Sequence, residues 1–250
     1  MIKIGIIGGS GLDDPRLLRE DKVIEVDTPW GKPASPLTLG TLAGRPVVLL
    51  SRHGRRHTHP PTQVNYRANI HALREQGCTH ILATTACGSL REEIEKGDFV
   101  ILDQFIDFTR HRPVTYYEEF EPGIENSRHV SMADPFSEHL RQVLIRAAEE
   151  MGIRYHPRGT VVTIEGPRFS TRAESRMFRL WGADVINMTV ASEAILANEA
   201  AIPYAAVAMS TDYDCWKTDL PPVTLEDILE VFQSNVDKVK ELLLRAIPMV

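Results

Sequence analysis

Two carboxylates, Asp212 and Asp214, stand two residues apart in Ser210-Thr211-Asp212-Tyr213-Asp214-Cys215-Trp216, just past an apolar run. Such a pair can face one ligand. Mutual repulsion raises one pKa and lets that group hold a proton near neutrality. The pair can then donate to a ring nitrogen and accept from an amino group. A hydrogen-bonded turn or a metal site uses the same residue types, so the spacing alone leaves three readings open.

A second group is Ser51-Arg52-His53-Gly54-Arg55-Arg56-His57-Thr58-His59, with six Arg or His residues in eight positions. It is the densest local anion site in an acidic chain. His53 and His57 would suit a metal on a helix, but Gly54 and Pro60-Pro61 favour a loop. Phosphate binding, a solvated basic loop and metal binding rank in that order.

Three further segments follow apolar strands. Gly8-Gly9-Ser10-Gly11 allows a tight turn whose N–H groups and Ser10 hydroxyl can face an anion. It is equally a plain strand-ending turn. The third glycine of a dinucleotide fingerprint and the Walker lysine are both missing. In Thr84-Thr85-Ala86-Cys87-Gly88-Ser89 a strand ends in small and hydroxyl residues, where ligands of α/β sheets bind. Thr85 suits a phosphate oxygen there. Cys87 reads more readily as a small buried hydrophobe than as a nucleophile. Glu165-Gly166-Pro167-Arg168-Phe169-Ser170-Thr171 and Asn187-Met188-Thr189 offer a stacking ring at Phe169 and a hydroxyl at Thr189.

The elements that must position these groups alternate along the chain. Strands are expected at 2–7, 37–42, 46–50, 80–85, 99–102, 160–164, 185–188 and 204–209. A helix is expected from Pro135 to Met151, capped by Asp134 and ended by Gly152. Another runs from Leu225 to Ala246, with Thr224 as its cap and an apolar stripe through Ile228, Leu229 and Phe232. Shorter helices are expected at 65–75, 172–181 and 192–200. The stretch 107–128 reads as a long surface loop, and long loops tend to carry function. The alternation implies an α/β fold, with residues 1–250 as one domain.

Composition bounds the function. The chain has 250 residues, 43% hydrophobic and 25% charged, which suits a globular fold and not a disordered one. A net charge of −6 argues against a general nucleic-acid surface. No apolar run approaches the ~18 residues of a membrane span. Met1-Ile2-Lys3-Ile4 opens in a β-like run without a signal-peptide pattern. Cys78, Cys87 and Cys215 show no CxxC spacing. A reducing, cytoplasmic setting fits them.

Taken together and in order, these segments resemble the purine nucleoside phosphorylase family, most closely its 5′-methylthioadenosine phosphorylase branch. The resemblance rests on Gly8-Gly9-Ser10-Gly11-Leu12, Arg52-His53-Gly54, Thr84 to Leu90, Thr163 to Phe169, Asn187-Met188-Thr189 and Thr211 to Asp214. It implies a central mixed sheet flanked by helices and the phosphorolysis of a nucleoside to free base and sugar 1-phosphate. No metal or organic cofactor is implied; inorganic phosphate is a co-substrate. Ser10, Arg52, His53, Thr85, Ala86 and Thr189 would hold phosphate. Cys87, Gly88, Asn187, Met188 and Phe169 would line the nucleoside site. Asp212 is assigned to N7 of the base and Asp214 to its amino-group side, which selects adenine over 6-oxopurines. Leu225, Ile228 and Leu229 would surround the sugar 5′ substituent. His129 would complete the pocket of a neighbouring subunit in a homotrimer. The resemblance also implies a place in purine and methionine salvage.

Two departures bear on substrate breadth. Ser192 stands where the family commonly has proline, before Glu193. The sequence ends at Val250, where some members continue into a segment closing the 5′ pocket, so a more open pocket accepting adenosine is expected. The rivals are a broader adenosine or inosine phosphorylase, a nucleoside hydrolase and a noncatalytic nucleotide-binding protein. A dinucleotide oxidoreductase is disfavoured by the broken glycine fingerprint.

Overall fold

The computed structural model describes residues 1–8, 18–221 and 224–250. Its strands are β1 (Ile4–Gly8), β2 (Arg19–Ile24), β3 (Leu37–Leu42), β4 (Arg45–Ser51), β5 (His80–Ser89), β6 (Phe99–Ile101), β7 (Gln104–Phe108), β8 (Tyr155–His156), β9 (Thr160–Ile164), β10 (Val185–Asn187) and β11 (Tyr204–Tyr213). The helices are α1 (Tyr66–Glu75), α2 (Glu138–Met151), α3 (Arg172–Leu180), α4 (Val190–Glu199) and α5 (Leu225–Ala246).

The strands form one mixed sheet. Its main path runs β2-β3-β4-β1-β5-β10-β9-β7, and β11 lies along the other side of β5. β1, β5 and β11 are apolar on both faces because helices cover both sides. Ile7, Leu73, Ile81 and Leu196 join one core, where α1 and α4 pack. Ile6, Leu82, Val143 and Leu243 join the other, where α2 meets α5.

β5 changes partners along its length. Residues 80–83 pair in parallel with β1, while Gly88 and Ser89 pair antiparallel with β10. Between them, residues 84–87 pair with neither of these strands. A crevice opens there, at the kind of switch point where open α/β sheets bind ligands.

Several boundaries differ from expectation. The helix expected from Pro135 begins at Glu138, capped by Ser137 rather than Asp134. The Ser137 N–H is committed to the Tyr204 carbonyl at 2.8 Å, which ties the chain to β11 before the helix begins. α4 starts at Val190, two residues before Ser192. β5 and β11 run past Thr85 and Met209, so Thr84–Ser89 and the Ser210–Tyr213 part of the aspartate segment lie inside strands. Strands β2, β7 and β8 have sequences too polar or too short to stand out, and β7 takes the start of the expected 107–128 loop. α5 matches its expected bounds, and Thr224 and Asp227 form a reciprocal capping box.

Candidate active site

The crevice holds a cavity of about 570 Å³. Arg52, His53, Thr85, Ala86 and Thr189 border it, as do Cys87, Gly88, Asn187 and Met188. Asp212, Phe169, Leu225, Ile228 and Leu229 complete the set that the sequence brought forward. Asp214 lies just behind this wall, and His129 lies elsewhere. Ser10 falls outside the described residues.

Arg52, at the end of β4, turns inward and is only 1% exposed. Its Nε and Nη2 grip Glu193 at 2.5 and 3.0 Å, and Nη1 donates to the Thr84 carbonyl at 2.9 Å. Tyr204 adds a hydroxyl bond to the same carboxylate at 2.8 Å. Burial disfavours the guanidinium charge, but Glu193 outweighs it and raises the pKa. Arg52 is therefore an oriented, charge-compensated donor and not a bare cation. Two guanidinium N–H groups remain uncommitted to these protein partners.

His53, by contrast, is neutral. Burial, reinforced by the charge of Arg52, pulls its pKa down to about 4. Its Nδ1 lies 2.8 Å from the His59 carbonyl, which can only accept. The proton of the neutral ring is therefore on Nδ1, and Nε2 is left as an acceptor. Arg55 is spent on the Thr38 hydroxyl, away from the cavity. The basic loop thus contributes less charge to the site than its composition suggests.

The hydroxyls are better placed. Thr189 Oγ1 is buried and finds no protein partner. The Asn187 amide ties the edge together, donating to Thr85 Oγ1 at 3.4 Å and accepting from Thr163 Oγ1 at 2.8 Å. A buried unpaired hydroxyl costs stability unless a ligand answers it. Arg52 and Thr189 thus offer donors suited to an oxyanion, and Thr85, whose hydroxyl donates to the Ala86 carbonyl at 3.0 Å, completes that edge once an anion claims its proton.

Across the cavity, β11 carries a bulge, with Ser210 paired to Cys87 but Asp212 already opposite Gly88. A bulge re-aims the side chains that follow it. The Ser210 amide is held by the Asp98 carbonyl at 2.9 Å, which anchors the strand at that point. A Cβ at Gly88 would meet Asp212 Oδ1 at 3.0 Å and Ile186 at 3.1 Å, so a larger residue there would press on the carboxylate. Burial pushes the Asp212 carboxyl up to about 6; the Thr211 hydrogen bond opposes the rise and Asp214 adds to it. Burial, more than repulsion between the two aspartates, does most of this. The Asp214 carboxylate is occupied by the Ser170 hydroxyl at 2.8 and 2.6 Å, so Ser170 is the group that faces the cavity. Ser170 was visible in the sequence only as part of a loop. Glu193 gave no signal, because one carboxylate on an apolar helix does not announce its partner.

Burial also raises the Cys87 thiol well above its ordinary value, which fits a wall residue and not a nucleophile. Leu225 and Leu229 stay 58% and 46% exposed at the cavity rim, with Ile228 between them half-buried. His129 is exposed and packs edge-on against Phe120.

The arrangement pairs an oxyanion edge with a protonatable carboxyl across an apolar-walled cavity. Comparison with known proteins places the chain in a family. The family model described as the phosphorylase superfamily matches residues 3–248. S-methyl-5'-thioadenosine phosphorylase of Xenopus tropicalis is 56% identical, covering 100% of this chain and 89% of that relative. The Drosophila melanogaster protein of the same name is 50% identical, covering 98% and 85%. Methylthioadenosine phosphorylase from Schistosoma mansoni, solved with adenine, superposes with a TM-score of 0.94 at 44% identity, covering 100% of this chain and 92% of that one. A mutant of the Schistosoma mansoni adenosine/methylthioadenosine phosphorylase, solved with methylthioadenosine, gives 0.93 at 44% identity, covering 100% and 91%. The chain belongs to the phosphorylase superfamily, on its S-methyl-5'-thioadenosine phosphorylase branch.

Proposed function

We propose that the protein cleaves 5′-methylthioadenosine with inorganic phosphate to adenine and 5-methylthioribose 1-phosphate. The observation that carries this reading is Asp212, buried and poised to protonate near pH 6, opposite the Arg52–Thr85–Thr189 edge. Phosphate held at that edge sits below the anomeric carbon. The bond from that carbon to N9 breaks, and a bond to a phosphate oxygen forms. The sugar passes through a cation-like state that the phosphate charge stabilises. The departing purine gathers electron density, and a proton from Asp212 at N7 lowers the barrier. Phosphate is a co-substrate, and the chemistry calls for no organic cofactor or metal.

Asp214, reached through Ser170, supports reading of the 6-amino group. A buried acceptor facing a 6-oxo group leaves both unpaired, a mismatch worth up to ~10⁴-fold. Phe169 offers a face to the base, and Met188 an apolar floor to the ribose. His53 Nε2, as an acceptor, suits a phosphate oxygen that still carries its proton. The aliphatic rim of α5 favours a methylthio group. Its exposure supports adenosine as a second substrate.

The reading includes a cytoplasmic homotrimer acting in purine and methionine salvage, with His129 reaching a neighbour's site. Assays of 5′-methylthioadenosine, adenosine and inosine, each with and without phosphate, test it. Phosphate-dependent turnover in the order methylthioadenosine, adenosine, inosine is expected. A preference for inosine would sink the base assignment, and turnover without phosphate would make the protein a hydrolase.

A further inference from the structure

The 107–128 stretch feeds one arginine into the interior beside the cavity. Arg112 is 9% exposed and does not border the cavity itself. Its Nη1 donates to the Met188 carbonyl at 2.6 Å, the Tyr66 hydroxyl at 3.0 Å and Ser192 Oγ at 3.4 Å. Its Nη2 donates to the Glu165 carbonyl at 2.5 Å and the Ile164 carbonyl at 3.3 Å, and its Nε to Glu165 Oε1 at 3.0 Å. The Tyr66 ring lies 5.2 Å from the guanidinium carbon. One planar fork therefore ties the end of β9, the turn after β10, α4 and α1 together.

The carbonyls it holds belong to the two turns that frame the cavity. One turn carries Pro167, Phe169 and Ser170, and the other carries Met188 and Thr189. The turns also touch directly. Gly166 has a φ of +67°, and a Cβ there would meet Met188 Sδ at 2.5 Å. The Glu165 carboxylate gathers the Arg110 and His111 amides at 2.6 and 3.1 Å, which closes the loop around the guanidinium. β9 and β10 stay paired as far as Thr163 and Asn187, and beyond that pair the fork ties the two turns together.

We infer that Arg112 is a positioning residue for the proposed phosphorolysis, fixing the base-side turn relative to the sugar-side turn by pinning the Glu165 and Met188 carbonyls together. This rests on the functional reading above. Losing the fork frees the Met188–Thr189 turn along with Glu165, while Thr85 on β5 and Arg52 just past β4 keep the strands that carry them. The nucleoside KM therefore rises and kcat falls, while the phosphate KM, still supported by Arg52 and Thr85, rises less. Lysine is a poor substitute, having three donors and no plane where Arg has five in a fork.

Arg112→Ala and Arg112→Lys, assayed beside the wild type with 5′-methylthioadenosine and phosphate, test this. Arg112→Ala is expected to lose about 10²-fold in kcat/KM for the nucleoside, as expected when reacting groups are misplaced by about 1 Å. Guanidinium ion at low millimolar concentration should restore much of that loss, and methylammonium should not. Thermal unfolding establishes whether each variant is folded. A folded Arg112→Ala with wild-type kinetics, or with a loss that guanidinium does not relieve, overturns the positioning role. If Arg112→Ala does not fold, Arg112→Lys decides. A nucleoside KM raised more than the phosphate KM, with kcat lowered, supports the role, and unchanged kinetics overturn it. The wild-type assay is read first. A wild type without phosphate-dependent turnover refutes the functional reading, and the inference falls with it for that separate reason.

Discussion

Asp212 is useful to the proposed reaction because the fold holds it where ionisation is costly. Its pKa is about 6 in the folded chain against an ordinary 3.8. The native state therefore binds this proton more tightly than the unfolded state. Stability from the group falls as pH rises from about 4 to about 6 and does not return above that. Asp212→Asn removes the penalty. Near pH 8 the variant should be more stable than the wild type by about 2–3 kcal/mol, the worth of some two pKa units. The gap should narrow towards about pH 4 and close below it, where the unfolded state also holds the proton. Asp214, Lys96 and Asp227 also act on this carboxyl. The variant should lose about 10²–10⁴-fold in kcat, the usual worth of a general acid. Unfolding curves at both pH values check the sign, and an equal gap at the two would contradict it. Asp214→Asn tests the neighbouring group. An amide there can donate to Ser170, which frees the Ser170 hydroxyl to donate to a 6-oxo group, so the ratio of inosine to methylthioadenosine turnover should rise. An unchanged ratio argues that Asp214 does not read the base.

α5 carries the aliphatic rim of the cavity, and its first turn is its least supported part. Leu225, Ile228 and Leu229 sit there, whereas Phe232, Val236, Val239 and Leu243 are buried further along. The first turn relies on its capping box. The Asp227 amide donates to Thr224 Oγ1 at 3.2 Å, and the Thr224 amide donates to Asp227 Oδ2 at 3.1 Å. Thr224→Ala should cost about 1 kcal/mol and loosen that turn alone. The KM for methylthioadenosine should rise while that for phosphate holds, as steady-state kinetics can check; a matching rise in both would count against a local effect. This helix was legible because its cap and apolar stripe agree. The start of α2 was not, because Asp134-Pro135 is a sound local cap that a distant bond to Tyr204 overrides. The ends of β5 and β11 were hidden for a related reason. Small and polar residues continue those strands because their neighbours hold them extended, not because of their own pattern.

The whole chain presents an apolar group away from its own cavity. Phe120, Ile124 and Val130 are exposed, and His129 packs against Phe120 among them. Apolar surface of this kind marks an interface when it is contiguous. With His129 assigned to a neighbour's site, the protein should sediment at three times the 28.1 kDa of one chain. His129→Ala should raise the nucleoside KM without changing that mass. A fully active monomer would remove both the trimer and the role of His129.

The alternation of elements, the bounds of α5 and most cavity-lining residue types follow from the chain alone. They depend on local periodicity, caps and turn chemistry, which neighbouring residues specify. Charge state and partnership do not. Arg52 and His53 read as one cationic patch until Glu193, which is 141 positions from Arg52, compensates the arginine and burial neutralises the histidine. Asp212 acquires its proton affinity from the strands packed around it, and Arg112 acquires its place from carbonyls on β9 and beyond β10. Each depends on the burial and orientation of groups far apart in the chain. No spacing of neighbouring residues encodes that, because desolvation and hydrogen-bond direction exist only once those elements have packed.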